Sequence, residues 1–268
     1  MIRKTNLKNR GQIAIWIIIG IVLVGSILVF FTIDKDAGLI TPGESESVFD
    51  MQSFLDECTA QYTERALELM LPQGGFIAPT NYRYFNNTKI AYLCENIGYF
   101  EPCVNQHPLF IKEIENEIDL EITPKISDCL RQMKFEFENQ QGKITFNDET
   151  ETPEIKVDLN EDVIKIEIEK KTTIEKQGEK RVFEKLTSTV KSPIYNLASI
   201  AAEIASQEAR YCYFSNDGYS ILYPRYKVSR YAISDDFGGA KIYSIEDSKS
   251  GKVMNIAIRS CAIPPGLP

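Results

Sequence analysis

Hydrophobic and polar positions along this chain change period twice, and each change predicts a different kind of element. From Ile13 to Ile33 there is no period: 21 residues run without a charge, and only Gly20, Gly25, Ser26 and Thr32 break the apolar run. At about 1.5 Å per helical residue this is roughly 30 Å, the hydrocarbon thickness of a bilayer. A core helix of that length would show a polar stripe, and none is present. The run predicts one transmembrane helix over 13–33. Residues 34–47 contain Gly38, Pro42 and Gly43 and predict a linker.

Beyond the linker a helical period sets in. Met51, Phe54, Leu55, Cys58, Tyr62, Ala66 and Leu69 recur at three- and four-residue steps and predict a helix over 48–70, stopped by Pro72-Gln73-Gly74-Gly75. Residues 76–106 read as short strands or loops. Two further helices are expected, 108–120 and one opening at Thr123-Pro124, whose apolar side is Ile126, Cys129, Leu130 and Met133. From Lys134 the period becomes two. Phe135 and Phe137, Ile144 and Phe146, Ile155 to Leu159, Ile164 to Ile168, and the return through Val182, Leu186 and Val190 alternate with charge. That is antiparallel sheet with one wet face. Ser192-Pro193 opens one more helix, about 193–210, with Ile194, Leu197, Ala201, Ile204 and Ala205 on its packing side. Strands are expected again over 211–214, 219–223, 227–233, 241–245 and 253–260.

The fold class is therefore α+β: a single N-terminal transmembrane helix, then an ectodomain of amphipathic helices packed on antiparallel β-sheet. Its parts are a basic segment 1–12, the helix 13–33, the linker 34–47, a mainly helical part 48–133 and a sheet with one helix, 134–268.

Charge orients the anchor. Arg3, Lys4, Lys8 and Arg10 precede it, while Asp34, Lys35 and Asp36 follow, so the N-terminus is expected in the cytoplasm and the bulk outside the cell. With those four cations set aside, residues 34–268 hold 26 basic and 38 acidic residues, a net of −12. Such a surface repels nucleic acid and anionic lipid.

All six cysteines, Cys58, Cys94, Cys103, Cys129, Cys212 and Cys261, lie in the exported part, as suits an oxidising compartment. Six cysteines permit fifteen pairings, and sequence alone does not choose. The arrangement expected is Cys94–Cys103 as a local loop, Cys58–Cys129 between helices and Cys212–Cys261 among the last strands.

Other chemistry is sparse. There is no Cys-x-x-Cys pair and the only histidine is His107, so neither a zinc site nor a cysteine nucleophile is expected. No Gly-x-Ser-x-Gly elbow or phosphate-binding glycine loop occurs. Ser234–Gly239 and Asn216-Asp217-Gly218 read as turns rather than calcium loops. Asn86-Asn87-Thr88 is a glycosylation sequon. Tyr211, Tyr213, Tyr219, Tyr223, Tyr226 and Tyr231 crowd into 21 residues and form a candidate aromatic binding surface.

Asn9-Arg10-Gly11-Gln12-Ile13 resembles the N-terminus of archaeal prepilin-like precursors. The resemblance covers about 25 residues and implies cleavage after Gly11, leaving Gln12 as the mature N-terminus. Trp16 stands at the fifth mature position, where many pilins carry Glu, and the 34–47 linker interrupts the helix that pilins continue into the head. A cysteine-bearing amphipathic helix followed by Gln73-Gly74-Gly75-Phe76-Ile77 also resembles uncharacterised membrane-anchored surface proteins of small-genome archaea, a likeness that implies no activity. The expectation is a single-pass, membrane-anchored surface or interaction protein, pilin-like at its N-terminus and able to self-assemble, with no catalytic activity and no cofactor. The alternative is a tethered binding module for a sugar or peptide, and after that an exported enzyme.

Overall fold

The computed structural model describes residues 50–96, 102–147, 152–233 and 239–259. The expected leader with Gly11 and Gln12, the expected transmembrane helix, the linker and Cys261 lie outside the described residues. Among the described residues no helix is long and apolar enough to cross a membrane. Residues 49–268 form one compact unit of α+β class.

Helix α1 spans Met51–Met70. The Asp50 carboxylate caps it, accepting from Gln52 N at 3.1 Å, and so satisfies one amide that the first turn cannot. Its buried side is Leu55, Thr59, Thr63, Ala66, Leu67 and Met70. Leu69, expected inward, is exposed. The two threonines occupy core positions instead, and the Thr59 hydroxyl meets Ser188 Oγ at 2.5 Å. The Gln-Gly-Gly segment ends the helix. Gly74 and Gly75 take φ of +84° and +89°, a region that only glycine enters freely. The Gln73 side chain donates to Leu69 O and Ile77 O, each at 3.0 Å. A Cβ on Gly75 would lie 3.0 Å from Phe110 and 3.1 Å from Ile114.

The hairpin β1 (Tyr82–Phe85) and β2 (Thr88–Glu95) follows, then the short β3 (Val104–Asn105). Helix α2 runs unbroken from Phe110 to Asn139, with Pro124 inside it. This corrects the expectation of two helices and of a strand starting at Lys134. The buried stripe Phe110, Ile114, Ile118, Ile122, Ile126, Cys129, Leu130, Met133 and Phe137 continues straight through the proline. Interior proline costs about 3 kcal/mol. Burying Ile122 and Ile126 on either side of it returns about 1.5–3 kcal/mol each. Thr123 does not cap a helix; its hydroxyl donates to Asp119 Oδ1 at 2.9 Å. The Phe135/Phe137 alternation fits a helix end equally well, since Phe137 is buried and Phe135 exposed.

Strands β4 (Gly142–Phe146), β5 (Glu154–Asn160), β6 (Val163–Glu169), β7 (Thr172–Lys176), β8 (Glu179–Phe183) and β9 (Leu186–Lys191) form two three-stranded antiparallel sheets, β5-β6-β9 and β4-β7-β8. A break at Lys170 and Lys171 separates β6 from β7. The inward isoleucines of β5 and β6, with Leu186 and Val190, join the α1 and α2 stripes in the main core. Val182 does not: every residue of β8 is exposed, and the charges of Glu179, Lys180 and Arg181 protect this edge from further pairing.

Helix α3 (Ile194–Tyr211) buries the face expected of it. It leads through Cys212 to a short helix α4 (Asn216–Leu222), then β10 (Tyr226–Ile233), β11 (Ala240–Asp247) and β12 (Val253–Arg259). Neither of two expected strands forms: at 211–214 Tyr211 ends α3 and the chain goes on as a loop, and 219–223 falls on α4 and its C-cap. Strands β1-β2-β12-β11-β10 form one sheet, with β3 beside β2. The sheet is mixed rather than antiparallel, because β12 pairs parallel with β2 through Ala257↔Tyr92 and Ile258↔Cys94. Sheet and helix therefore both cross the boundary drawn at residue 134.

Alternation gives this mixed sheet two apolar faces. Tyr243, Ile245, Met254, Ile256 and Ile258 join the main core. Ile90, Tyr92, Ala240, Ile242 and Ala257 form a second cluster with Phe85 and Ile233 at its edge.

Candidate functional site

The candidate aromatic surface of six tyrosines divides into two places. Most of it belongs to the α3–α4–β10 corner. Phe214 is the anchor: it is buried, and its ring meets Tyr243 edge-on at 5.9 Å and Tyr219 at 5.5 Å. Tyr219 stacks on Tyr223 at 4.7 Å. The Ser220 hydroxyl accepts from Val228 N at 3.0 Å, fixing α4 to β10. With the helix pinned from below, its far end projects Ile221 (79% exposed), Leu222 (75%) and Tyr223 (53%) into solvent. Tyr211 and Tyr213 flank this knuckle, exposed, with Arg210 over the first ring at 5.1 Å and Arg230 over the second at 5.9 Å. Tyr226 lies beneath Arg225 at 5.2 Å. Asn216-Asp217-Gly218 opens α4, with Asn216 Nδ2 donating to Asp217 Oδ1 at 2.9 Å. Residues 234–238 of the other acidic turn are outside the described residues.

Buried charge holds the corner in place. Glu208 of α3 is fully buried, accepts from Lys241 Nζ at 2.6 Å and takes a short hydrogen bond from the Tyr243 hydroxyl. Lys241 Nζ also donates to Cys212 O at 2.7 Å, which satisfies a carbonyl at the end of α3. Burial, reinforced by the Glu208 carboxylate, raises the Tyr243 phenol above its ordinary value, so it stays protonated and donates. Just beyond α4, Arg225 clasps two hairpin turns. It donates to both oxygens of Asp162, at 2.9 and 2.5 Å, and through Nε to Asp247 at 2.7 Å. At Asp247 burial opposes ionisation, but hydrogen bonds from Arg225 and Ser250 outweigh it and hold the carboxyl below its usual range. The Arg225 bond does the same for Asp162.

Tyr231 stands apart. Strand alternation turns it to the second face of the mixed sheet, where its ring lies 5.3 Å from Phe85. Phe85 sits at the β1–β2 turn, so the hairpin leans across that face toward β10. Between hairpin and sheet lies an open cavity of about 270 Å³, lined by Phe85, Asn86, Thr88, Tyr231, Ser244, Val253 and Asn255. The sequon is at its rim: Asn86 and Asn87 are the two exposed residues of the turn, with φ of +47° and +63°, the tight form that twisted hairpins favour.

Two disulfides join the pairs expected from sequence. Cys58–Cys129 links α1 to α2, with Cα atoms 6.2 Å apart, and Cys94–Cys103 closes a local loop at 5.4 Å. Cys212 is disulfide-bonded too, and its expected partner Cys261 lies outside the described residues. Among the described residues no cysteine is free, and His107 is held by other groups. Its Nδ1 meets Glu113 at 2.5 Å and its ring packs on Phe76 at 4.8 Å.

The exposed Ile221 and Leu222 are not apparent from sequence, because the aromatic spacing of Tyr219–Tyr223 suggests a strand. The opposing signal is Ser215-Asn216-Asp217, a helix-opening run. The cavity is not apparent either, since its walls come from five strands and a turn distant in sequence. Comparison of the chain with protein-family models, with curated proteins and with solved structures finds no match.

Proposed function

We propose that this chain is a membrane-anchored, extracytoplasmic surface protein that acts by contact rather than by catalysis. Residues 13–33 span the membrane, residues 1–12 face the cytoplasm, and a prepilin-type peptidase cuts after Gly11 to leave Gln12 at the mature N-terminus. The oxidised cysteines support an exported location.

The observation that carries the contact reading is the α4 knuckle. Three consecutive large apolar or aromatic residues stand exposed at the end of a pinned helix, and Tyr211 and Tyr213 extend the surface. Water-exposed Ile and Leu side by side on a rigid scaffold are costly unless something covers them. Tyrosine and arginine around them are the side chains that interfaces favour. The partner is another envelope component or a second copy.

Protease shaving of intact cells tests the topology. The domain from residue 49 onward is expected to be lost from the outside while an anchor fragment stays in the membrane. Full protection until the cells are lysed would overturn the exported reading. For the contact surface, I221S and L222S together are expected to free the protein from its native membrane complex without changing its thermal midpoint. An unchanged complex would reject α4 as the contact.

A further inference from the structure

We propose that the cavity between the β1–β2 hairpin and the second face of the mixed sheet is a binding site for a neutral sugar. Three observations carry this. First, its lining is uncharged throughout, although charged residues make up 25% of the chain. A charged ligand would find no counter-ion there, so the site selects a neutral one. Second, Phe85 and Tyr231 form an aromatic wall, their rings 5.3 Å apart and tilted by 36°. Both side chains are partly exposed, and such faces pack against the C–H side of a sugar ring. Third, hydrogen-bonding capacity converges on the cavity unused. Among the described residues, no side-chain hydrogen bond occupies Thr88, Tyr231 or Ser244. Asn255 Nδ2 has only a long contact, 3.5 Å, with Pro72 O. Hydroxyls and amides above an apolar wall match a polyol, which presents hydroxyls at its edge and C–H groups on its face.

The frame is rigid enough to hold such a ligand. The register Ser244↔Asn255 places those two side chains abreast on adjacent strands. Thr88 pairs with Phe85 at the hairpin end. The sugar has two sources. One is the glycan on Asn86 itself, which would fold back from the turn onto Tyr231; this source rests on the exported reading, since glycosylation requires it. The other is a glycan of a neighbouring molecule.

The test uses the full chain purified from its native membranes, with the variants N86G and Y231A and the double variant. Glycine keeps the positive φ of the turn while removing the sequon. Probes are neutral hexose oligomers on a glycan array, with glucuronate oligomers as the charged control. If the Asn86 glycan fills the site, N86G lowers the thermal midpoint, the loss disappears in the Y231A background, and neutral oligomers bind N86G but not the native glycoprotein. If a neighbour's glycan fills it, N86G leaves the midpoint unchanged. Neutral oligomers then bind native protein and N86G alike, and Y231A weakens both about tenfold or more. Equal array signals for native protein and Y231A, together with additive midpoint shifts, would overturn the proposal. Topology is read separately: protease shaving that places the domain inside the cell rejects the exported reading, whereas sugar binding by N86G is scored whatever the topology.

Discussion

Replacing Glu208 by alanine is the sharpest test of how this fold holds its projecting corner. The carboxylate is fully buried and sits 2.6 Å from the Lys241 ammonium. It also accepts from the buried Tyr243 hydroxyl. Removing it leaves Lys241 with the Cys212 carbonyl and strands the Tyr243 donor in the core. Breaking one partner of a buried ion pair costs about 3–5 kcal/mol, most of it from the charge left behind. Y243F removes only a donor and is expected to cost about 1–3 kcal/mol. In a K241M background the stranded ammonium is absent, so E208A should cost less there, with a coupling of about 0.5–3 kcal/mol. The assay is urea unfolding of residues 49–268 at pH 7 without reductant, followed by far- and near-ultraviolet circular dichroism. An E208A cost below about 1 kcal/mol, or full additivity with K241M, would show that the pair does not support the fold.

P124A is expected to stabilise the same unit by about 2 kcal/mol. The restored amide can donate to the Leu120 carbonyl, about 3 kcal/mol, against about 0.4–1 kcal/mol of lost unfolded-state restriction; a lower urea midpoint would contradict this. Acid should unfold the domain through its paired carboxylates. Hydrogen bonds from Lys165 and Lys185 hold Glu167 down at about 2 against 4.5 when free, and Asp162 and Asp247 are lowered as well. Groups depressed in the folded state contribute above their unfolded values and lose that contribution as the folded values are crossed. Stability should therefore hold flat down to about pH 5 and decline toward about pH 2; a decline already complete above pH 5 would point to other groups.

Much of the fold was legible because its signals are periodic. The alternation from Ile155 to Ile168 and the stripe Ile194 to Ala205 each fix which side is buried, and both faces are as read. The failures share one cause: a local signal outvoted by tertiary burial. Thr123-Pro124 looks like a helix start, yet the isoleucines on both sides lie on one continuous buried stripe, and the helix passes through. Tyr219–Tyr223 looks like a strand, yet buried Phe214 and the Ser220 bond to β10 fold it as a helix. The parallel pairing of β2 with β12 leaves no short-range trace, since about 160 residues separate its partners. For the same reason the cavity was invisible, while the Asn86 sequon, a local motif, was not. The disulfide pairs expected at Cys58–Cys129 and Cys94–Cys103 were choices guided by element placement, and both were met.

The intact mass of the protein from native membranes, without reductant and after deglycosylation, is the deciding measurement for an anchored, exported and processed chain. The expected mass is that of a chain beginning at Gln12, retaining residues 13–33, with every cysteine oxidised. A mass that keeps residues 1–11 would remove the prepilin-type processing and leave a plain anchor. A mass lacking residues 13–33, or one that takes up alkylating reagent at free thiols, would contradict the anchored, exported protein itself.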